Sequence, residues 1–193
     1  MTKKALILDG GTGDGENTRR AGELASDILQ RSGWEVANLA LREMTIAPCL
    51  GCFGCWIKTP GECVIDDAGR DVAAQIVRSD LLVYLTPLTF GGYSSQLKKA
   101  LDRMIPNILP FFRFVNREIH HVKRYARYPR LAAIGTCPDE KSDPDEEDLF
   151  EMLVHRNAIN MHAPKYATCV VDASDDDDVR QRRIENLLGR VGV

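Results

Sequence analysis

The chain has 193 residues, of which 44% are hydrophobic and 27% are charged. This usage is typical of a globular protein, and the length suits a single domain, which we expect to span residues 1–193. With 25 Lys and Arg against 28 Asp and Glu, the net charge is −3, so the composition does not favour a nucleic-acid-binding protein. No apolar run approaches the roughly 20 residues of a membrane-spanning helix, and we expect a cytoplasmic protein with reduced thiols.

Short apolar runs alternate with helical patterns from one end of the chain to the other. The strand candidates are ALIL, WEVANLAL, LLVYL, RLAAIG and ATCVV. The patterns with helical spacing are 21–29, 72–77, 97–105, 149–154 and 184–191. Because apolar strands that alternate with helices form parallel sheets covered on both faces, the sequence predicts a doubly wound α/β fold with five strands. Such sheets bind ligands at the carboxyl ends of their strands.

The loop after the first strand, DGGTGDGENTRR, combines glycines with the start of a helix. Free N–H groups at such a helix start attract phosphate, and the candidate phosphate-binding residues are Gly10, Gly11, Asn17 and Thr18. The standard nucleotide motifs do not fit, because Glu16 stands both at the third glycine of G-x-G-x-x-G and at the Walker lysine. A glycine-rich turn capped by Asn17 is the structural alternative.

The segment TPLTFGGYSSQLKKALDR, residues 86–103, joins the clearest strand to the clearest helix. Gly91 and Gly92 allow the backbone to approach a flat ligand closely, and Phe90 and Tyr93 offer apolar surface to it. The sequence therefore predicts that this second loop contacts a planar group.

Four of the six cysteines lie in one segment, the cysteine loop 47–67. They are Cys49, Cys52, Cys55 and Cys63. The spacing C-x2-C-x2-C-x7-C begins as a bacterial ferredoxin loop does. It leaves three alternatives open: an iron–sulfur cluster, metal-free thiols, or zinc, which is less favoured because zinc sites usually pair separated C-x-x-C units. Cys137 and Cys169 lie in or beside strands and are expected to be packing residues.

Two segments lie outside the regular pattern. The basic insertion 110–130 includes His120 and His121 and interleaves arginines with Phe and Tyr. It is expected to be either a solvated connecting loop or a contact for an anionic nucleotide or a partner subunit. The acidic run DASDDDD, 172–178, precedes a helix and is expected to favour its N-terminal end.

The first two loops together resemble those of the flavodoxin-like NAD(P)H-dependent FMN reductases, and within them the iron–sulfur flavoproteins. The family's first loop reads approximately N-G-S-P-R-x-x-x-x-N-T, and its second reads approximately S-P-V-Y-F-G and continues to Q-L-K and D-R. The matching residues here are Asp9, Gly10, Asn17, Thr18, Pro87, Phe90, Gly91, Gln96, Leu97, Lys98, Asp102 and Arg103. The resemblance covers the first half of the chain well and the second half only in architecture.

This resemblance implies a flavodoxin-like fold with the FMN phosphate on the first loop and the isoalloxazine edge on the second. The implied ring contacts are Pro87, Leu88, Thr89, Phe90 and Gly91, with Thr136 from the third loop, GTCPDE. It also implies hydride transfer from NAD(P)H to FMN, and a 4Fe–4S cluster on the four cysteines of the cysteine loop.

Three departures from the family pattern bear on FMN. Gly11 and Gly13 replace the phosphate-binding Ser and Arg of the first loop, and Thr89 replaces the ring-contacting Tyr of the second. The sequence therefore predicts weaker FMN binding than the family pattern would give.

The favoured function is an FMN-dependent oxidoreductase, either an NAD(P)H-dependent reductase of FMN or quinone-type acceptors or an iron–sulfur flavoprotein that transfers electrons. No catalytic side chain is assigned, because a flavin itself carries the chemistry. The expected partners are a nicotinamide cofactor and a small acceptor or a redox protein, in a homodimer or homotetramer. The alternative is a redox- or metal-sensing protein on the same scaffold.

Overall fold

The computed structural model describes residues 2–13, 15–115, 117–137 and 141–193. The strands in these ranges are β1 (Lys4–Asp9), β2 (Glu35–Ala40), β3 (Leu81–Pro87), β4 (Ile108–Val115), β5 (Glu118–Lys123), β6 (Arg130–Thr136) and β7 (Tyr166–Val171). The helices are α1 (Glu16–Arg31), α2 (Gly54–Ile57), α3 (Ala68–Arg78), α4 (Ser95–Asp102), α5 (Pro144–Asn160) and α6 (Asp177–Arg190). None of these helices combines the length and apolar character needed to cross a membrane.

Five strands form one sheet in the order β2-β1-β3-β6-β7, and every neighbouring pair is parallel. In the central strands Leu8 lies opposite Tyr84, which lies opposite Ala133. The chain leaves β1 toward β2 and then returns to the other side of β1 with β3, so the order reverses between β1 and β3. The predicted doubly wound parallel fold is confirmed.

Two apolar cores lie on the two faces of this sheet. Alternate strand residues face opposite sides, so that Ile7 belongs to one core and Leu8 to the other. Helices α1 and α6 cover the Ile7 face with residues such as Leu29 and Leu187. Helices α3, α4 and α5 cover the Leu8 face, where Phe150 of α5 is fully buried.

Side-chain caps at their N-termini mark where four of the helices begin. Asp67, Ser94, Asp143 and Asp176 stand before α3, α4, α5 and α6, and each side chain accepts a hydrogen bond from an N–H of the first turn. Helix α1 differs, because Gly15 precedes it and provides no side-chain cap. The alternative in which Asn17 caps this helix is therefore wrong.

Two segments differ from the sequence-based expectation. The basic insertion is not a connecting loop, because β4 and β5 pair as an antiparallel hairpin. The helix predicted to run from Leu97 to Ile105 ends at Asp102 and is followed by a separate 3₁₀ turn, Ile105–Asn107, which contains Pro106. Since proline lacks a backbone donor, it favours this break in the helix.

Candidate functional site

The loops after β1, β3 and β6 meet at the carboxyl end of the sheet. Gly10 binds both neighbouring segments, because its N–H donates to the Leu85 carbonyl at 2.8 Å and its carbonyl accepts from Ser94 Oγ at 2.6 Å. A side chain at Gly10 would place its Cβ 2.8 Å from Leu97 Cβ. Only glycine therefore allows the first loop to pack this closely on α4.

The first turn of α1 connects the first loop to the third. Thr18 Oγ1 lies 2.6 Å from Thr136 Oγ1 and both side chains are buried. Asn17 Nδ2 donates to the carbonyls of Cys137 and Val171 at 2.9 and 3.0 Å. The Oδ1 atom of Asn17 is buried and has no hydrogen-bond partner within the described residues. This arrangement leaves one buried acceptor available to a hydroxyl group of a ligand.

An ion pair lies beside the first loop. Asp9 accepts a hydrogen bond from the Gly11 N–H at 2.8 Å, and Arg42 Nη1 donates to its second oxygen at 2.9 Å. A carboxylate at this position opposes the binding of a phosphate, whereas the guanidinium favours it. Arg42, in the turn after β2, therefore brings a cation to a loop that lacks the family's arginine.

The second loop presents an aromatic ring to solvent. Thr89 and Gly92 exchange two backbone hydrogen bonds, which fold the tip into a tight turn. Phe90 at this tip has φ 50° and a side chain that is 90% exposed. Gly91 has φ 68°, and a Cβ there would lie 2.7 Å from Leu149 of α5. A left-handed phenylalanine with an uncovered ring is strained, and such strain is found mostly at functional positions.

The residues present fit FMN. The uncapped start of α1 offers backbone N–H groups to a phosphate, the Asn17 oxygen needs a donor, and the exposed Phe90 ring offers surface to a flat molecule. Ten residues were predicted for this site. They are Gly10, Gly11, Asn17, Thr18, Pro87, Leu88, Thr89, Phe90, Gly91 and Thr136.

The structure brings most of these residues together at one edge of the sheet. The hydrogen bond from the Leu88 N–H to the Thr136 carbonyl joins the second loop to the third at 2.9 Å. Residues 138–140 of the third loop lie outside the described residues. Sequence reasoning missed Arg42 altogether, since nothing near it in the chain marks it as a neighbour of Asp9. It also did not identify the contact of Ser94 with Gly10.

The cysteine loop extends along the Leu8 face of the sheet. Cys49 and Cys52 are exposed, Cys63 is partly buried, and Cys55 is buried in the single turn of α2. Burial raises the pKa of the Cys55 thiol, and the other three cysteines of the loop raise it further. Among the described residues, no three Cys, His, Asp or Glu side chains converge as metal ligands would. The predicted ligand set stays a prediction.

A buried ion pair fixes this loop to the fold. Arg103 at the end of α4 donates two hydrogen bonds to Asp67 at 2.7 and 2.9 Å and two to the carbonyls of Ala47 and Ile65. It also interacts with the thiol of Cys63. The side chains of Arg103 and Asp67 are only 1% and 10% exposed. Arg103, the second residue of the DR pair in the resemblance, thus has a structural role in holding both ends of the cysteine loop.

The two cysteines outside the loop occupy the positions expected of packing residues. Cys137 is buried after β6, and Cys169 of β7 packs against the Ile7 core. Burial raises the pKa of Cys169 to about 12, so this thiol stays protonated at neutral pH.

A family model described as NADPH-dependent FMN reductase matches residues 3–168. An iron-sulfur flavoprotein of Methanocaldococcus jannaschii is 29% identical over 103 residues, which are 53% of this chain and 52% of that protein. An iron-sulfur flavoprotein of Archaeoglobus fulgidus is 30% identical over 90 residues, 47% of this chain and 40% of the relative. The chain spans about half or less of the length of these two relatives.

The fold is also similar to solved structures. An FMN-dependent NADH-azoreductase from Bacillus anthracis, solved in complex with FMN, superposes with a TM-score of 0.65 at 12% identity. The superposition covers 99% of this chain and 98% of that one. At such low identity the similarity establishes the flavodoxin-like fold alone.

Proposed function

The chain belongs to the family of NADPH-dependent FMN reductases, and from this premise we propose that it is an FMN-dependent oxidoreductase that uses NAD(P)H. The observation that carries the proposal is the junction of the three loops at the carboxyl end of the sheet, with the uncapped start of α1 beside the exposed ring of Phe90. A bound FMN would supply the chemistry of hydride transfer from a nicotinamide and of electron transfer to an acceptor.

The residues of the first loop would bind the phosphate. The N–H groups at the start of α1 carry the positive end of the helix dipole, and Thr18 adds a hydroxyl. Arg42 supplies the cation, while its bond to Asp9 limits how much of that charge reaches a ligand. The Gly11 N–H already donates to Asp9, which supports weaker phosphate binding than in the family pattern.

The second loop would hold the flat ring. Pro87 to Gly91 would form one wall beside the strand ends, where the Leu88 N–H donates to the Thr136 carbonyl. Excluding water from one side of the ring is the role we assign to Phe90, because the side chain of Leu88 is buried in the core on the Leu8 face. No side chain is assigned as a general acid or base, because a flavin would itself supply the redox chemistry.

The test is FMN titration combined with measurement of NADPH and NADH oxidation in the presence of a quinone, an azo dye or free flavin. Thr18→Ala should raise the Kd for FMN about fivefold or more, because a hydrogen bond to a charged phosphate is lost. Thr12→Ala is the matched control, since this exposed threonine lies in the same loop. Equal FMN affinity of the Thr18 variant and the wild type would contradict the assigned phosphate site.

We also propose that the cysteine loop holds a 4Fe–4S cluster that relays electrons to or from the flavin. The spacing of the cysteines supports this, because Cys49, Cys52 and Cys55 follow one another as in a bacterial ferredoxin loop. Four thiolates per cluster match the four cysteines of the loop. The cysteines would have to turn inward when iron binds.

Anaerobic purification followed by iron and sulfide analysis tests the cluster, which requires about four of each per chain. Cys52→Ser should abolish the iron and leave FMN bound, because the proposed flavin contacts lie on other loops. Cys169→Ala, outside the cysteine loop, should keep the iron. Iron-free protein after anaerobic reconstitution would mean that the loop carries thiols without a cluster.

The alternative function, a redox- or metal-sensing protein on this scaffold, predicts a different result. Such a protein would show no flavin absorbance after purification and would not oxidise NAD(P)H. The absorbance spectrum of fresh protein therefore distinguishes the two functions before any substrate is chosen.

We infer that the chain forms one domain, acts with a nicotinamide cofactor and a small acceptor or redox protein, and assembles as a homodimer or homotetramer. A nucleic-acid partner is not part of the proposal, and the cytoplasmic location remains a prediction. The exposed apolar residues of the β4–β5 hairpin, such as Phe114, support assembly.

A further inference from the structure

A cavity of about 520 Å³ lies within the helical layer on the Leu8 face of the sheet. It is bounded by α3, the end of α4, the last turn of α5, the hairpin and the cysteine loop. Cavities of this size hold small organic molecules in other proteins. None of the ten residues predicted for the FMN site lines it. The cavity lies beside the end of α4 and the 3₁₀ turn that contains Pro106.

Aromatic rings form one wall of this cavity. Phe53 and Trp56 stack with their ring centroids 5.2 Å apart and an angle of 17° between the planes, and His121 lies 5.0 Å from Trp56. Phe53 has φ 52° although it is neither glycine nor asparagine, and its ring is half exposed at the cavity mouth. Stacked rings held in a strained conformation provide a surface that suits a flat aromatic ligand.

The floor of the cavity carries a hydroxyl group with a poor partner. Tyr84 of β3 is 1% exposed, and its hydroxyl donates only to the sulfur of Met161 at 3.7 Å among the described residues. A thioether is a weak acceptor, so a buried hydroxyl in this position gains from a better one. Burial raises the pKa of Tyr84, so that the group keeps its proton and remains a donor.

The charge of the lining restricts the ligand further. No Lys or Arg lines the cavity within the described ranges, and Asp102, which does line it, pairs its carboxylate with Lys98. Phosphorylated molecules such as FMN and NADPH would be buried there without a counter-charge, which is costly. The amides of Asn157 and Asn160 add neutral polar groups at the end of α5. The lining thus favours a neutral molecule.

We propose that this cavity is a second ligand site, separate from the FMN site, for a small, neutral, flat aromatic carbonyl compound. The rings of the ligand pack against Trp56 and Phe53, and its carbonyl oxygen accepts the hydrogen bond of Tyr84. The site does not depend on FMN, because its residues come from β3, the helical layer, the hairpin and the cysteine loop, and not from the loops at the strand ends.

The experiment is calorimetric titration of the full chain with 1-indanone and with indane, which has the same ring skeleton without the carbonyl group. Wild-type protein should bind 1-indanone more tightly than indane. Tyr84→Phe removes the donor alone and should weaken 1-indanone binding about five- to tenfold while leaving indane binding unchanged. Equal binding of both compounds by the wild type, or binding of neither, would overturn the proposal.

A matched pair of variants tests the location. Phe53→Gly should weaken the binding of both compounds, since it removes one ring and glycine accepts the left-handed backbone. Phe90→Gly makes the same change at the same kind of backbone position outside the cavity. It should bind both compounds as the wild type does. Similar losses in the two variants would show that the compounds bind elsewhere and would refute the assignment.

Discussion

Arg103 connects the cysteine loop to α4 through a buried ion pair with Asp67 and through hydrogen bonds to the carbonyls of Ala47 and Ile65. Its guanidinium is almost fully buried and forms a two-bond pair with Asp67, which also accepts the N–H groups of Ala47 and Gly69. The planar guanidinium group of arginine can donate two parallel hydrogen bonds to one carboxylate, whereas the ammonium group of lysine cannot. The loop is therefore held at both of its ends by one residue of α4.

Arg103→Leu should lower the free energy of unfolding by about 3–5 kcal/mol, because the Asp67 carboxylate would remain buried without its cation. Urea unfolding at neutral pH measures this loss. Adding Asp67→Asn to the Arg103→Leu variant should recover part of it, since the uncompensated charge is then removed. A double variant no more stable than the single one would contradict this explanation.

The ion pair between Arg103 and Asp67 also makes the free energy of unfolding depend on pH. Burial pushes the pKa of Asp67 upward, but hydrogen bonds from Arg103, Ala47 and Gly69 outweigh it and lower the pKa below its ordinary value of 3.8. A depressed folded-state pKa stabilises the fold above the unfolded value, and this stabilisation is lost as pH falls through the folded value. The wild type should therefore lose more stability below about pH 4 than the Arg103→Leu variant does.

At the scale of elements, the core strands were predictable because burial on both faces leaves a continuous apolar run. LLVYL became β3 with every residue from Leu81 to Leu85 buried. The hairpin was not predictable in the same way. Its strands expose Phe111, Phe112 and Phe114, and their aromatic and basic residues follow no alternation toward a core.

Some residues of the candidate site could be recognised from their neighbours in the sequence, whereas others are brought together only by the fold. The glycines of the first two loops and the helix start at α1 are local features, so the sequence alone indicated them. The bond between Arg42 and Asp9 joins residues that β2 and α1 separate in the chain. The residues next to Arg42 in the sequence do not indicate this contact with Asp9, because the contact depends on the pairing of β1 with β2.

At the scale of the whole molecule, the exposed apolar residues predict self-association. Leu50 and Ile57 on the cysteine loop and Phe114 and Ile119 on the hairpin are between 62% and 80% exposed. Apolar surface of this extent usually lies in an interface.

The molar mass from light scattering should therefore correspond to at least a dimer. Phe114→Glu should shift it toward the monomer, because a charge would be buried in the interface. Gln30→Glu, on exposed α1 surface across the sheet, should leave the mass unchanged. A monomeric wild type would contradict this prediction.

The topology of the sheet also determines how the chain reaches this structure. Every strand pair in the five-stranded sheet is parallel and is joined through a crossover, and residues 88–129 separate β3 from its neighbour β6. Among the described strands, only β4 and β5 pair locally through a short turn. Loop-closure entropy makes distant pairings slow to form. The hairpin therefore has the kinetic advantage, and the apolar central strands stay unpaired for longest during folding, when they are most open to aggregation.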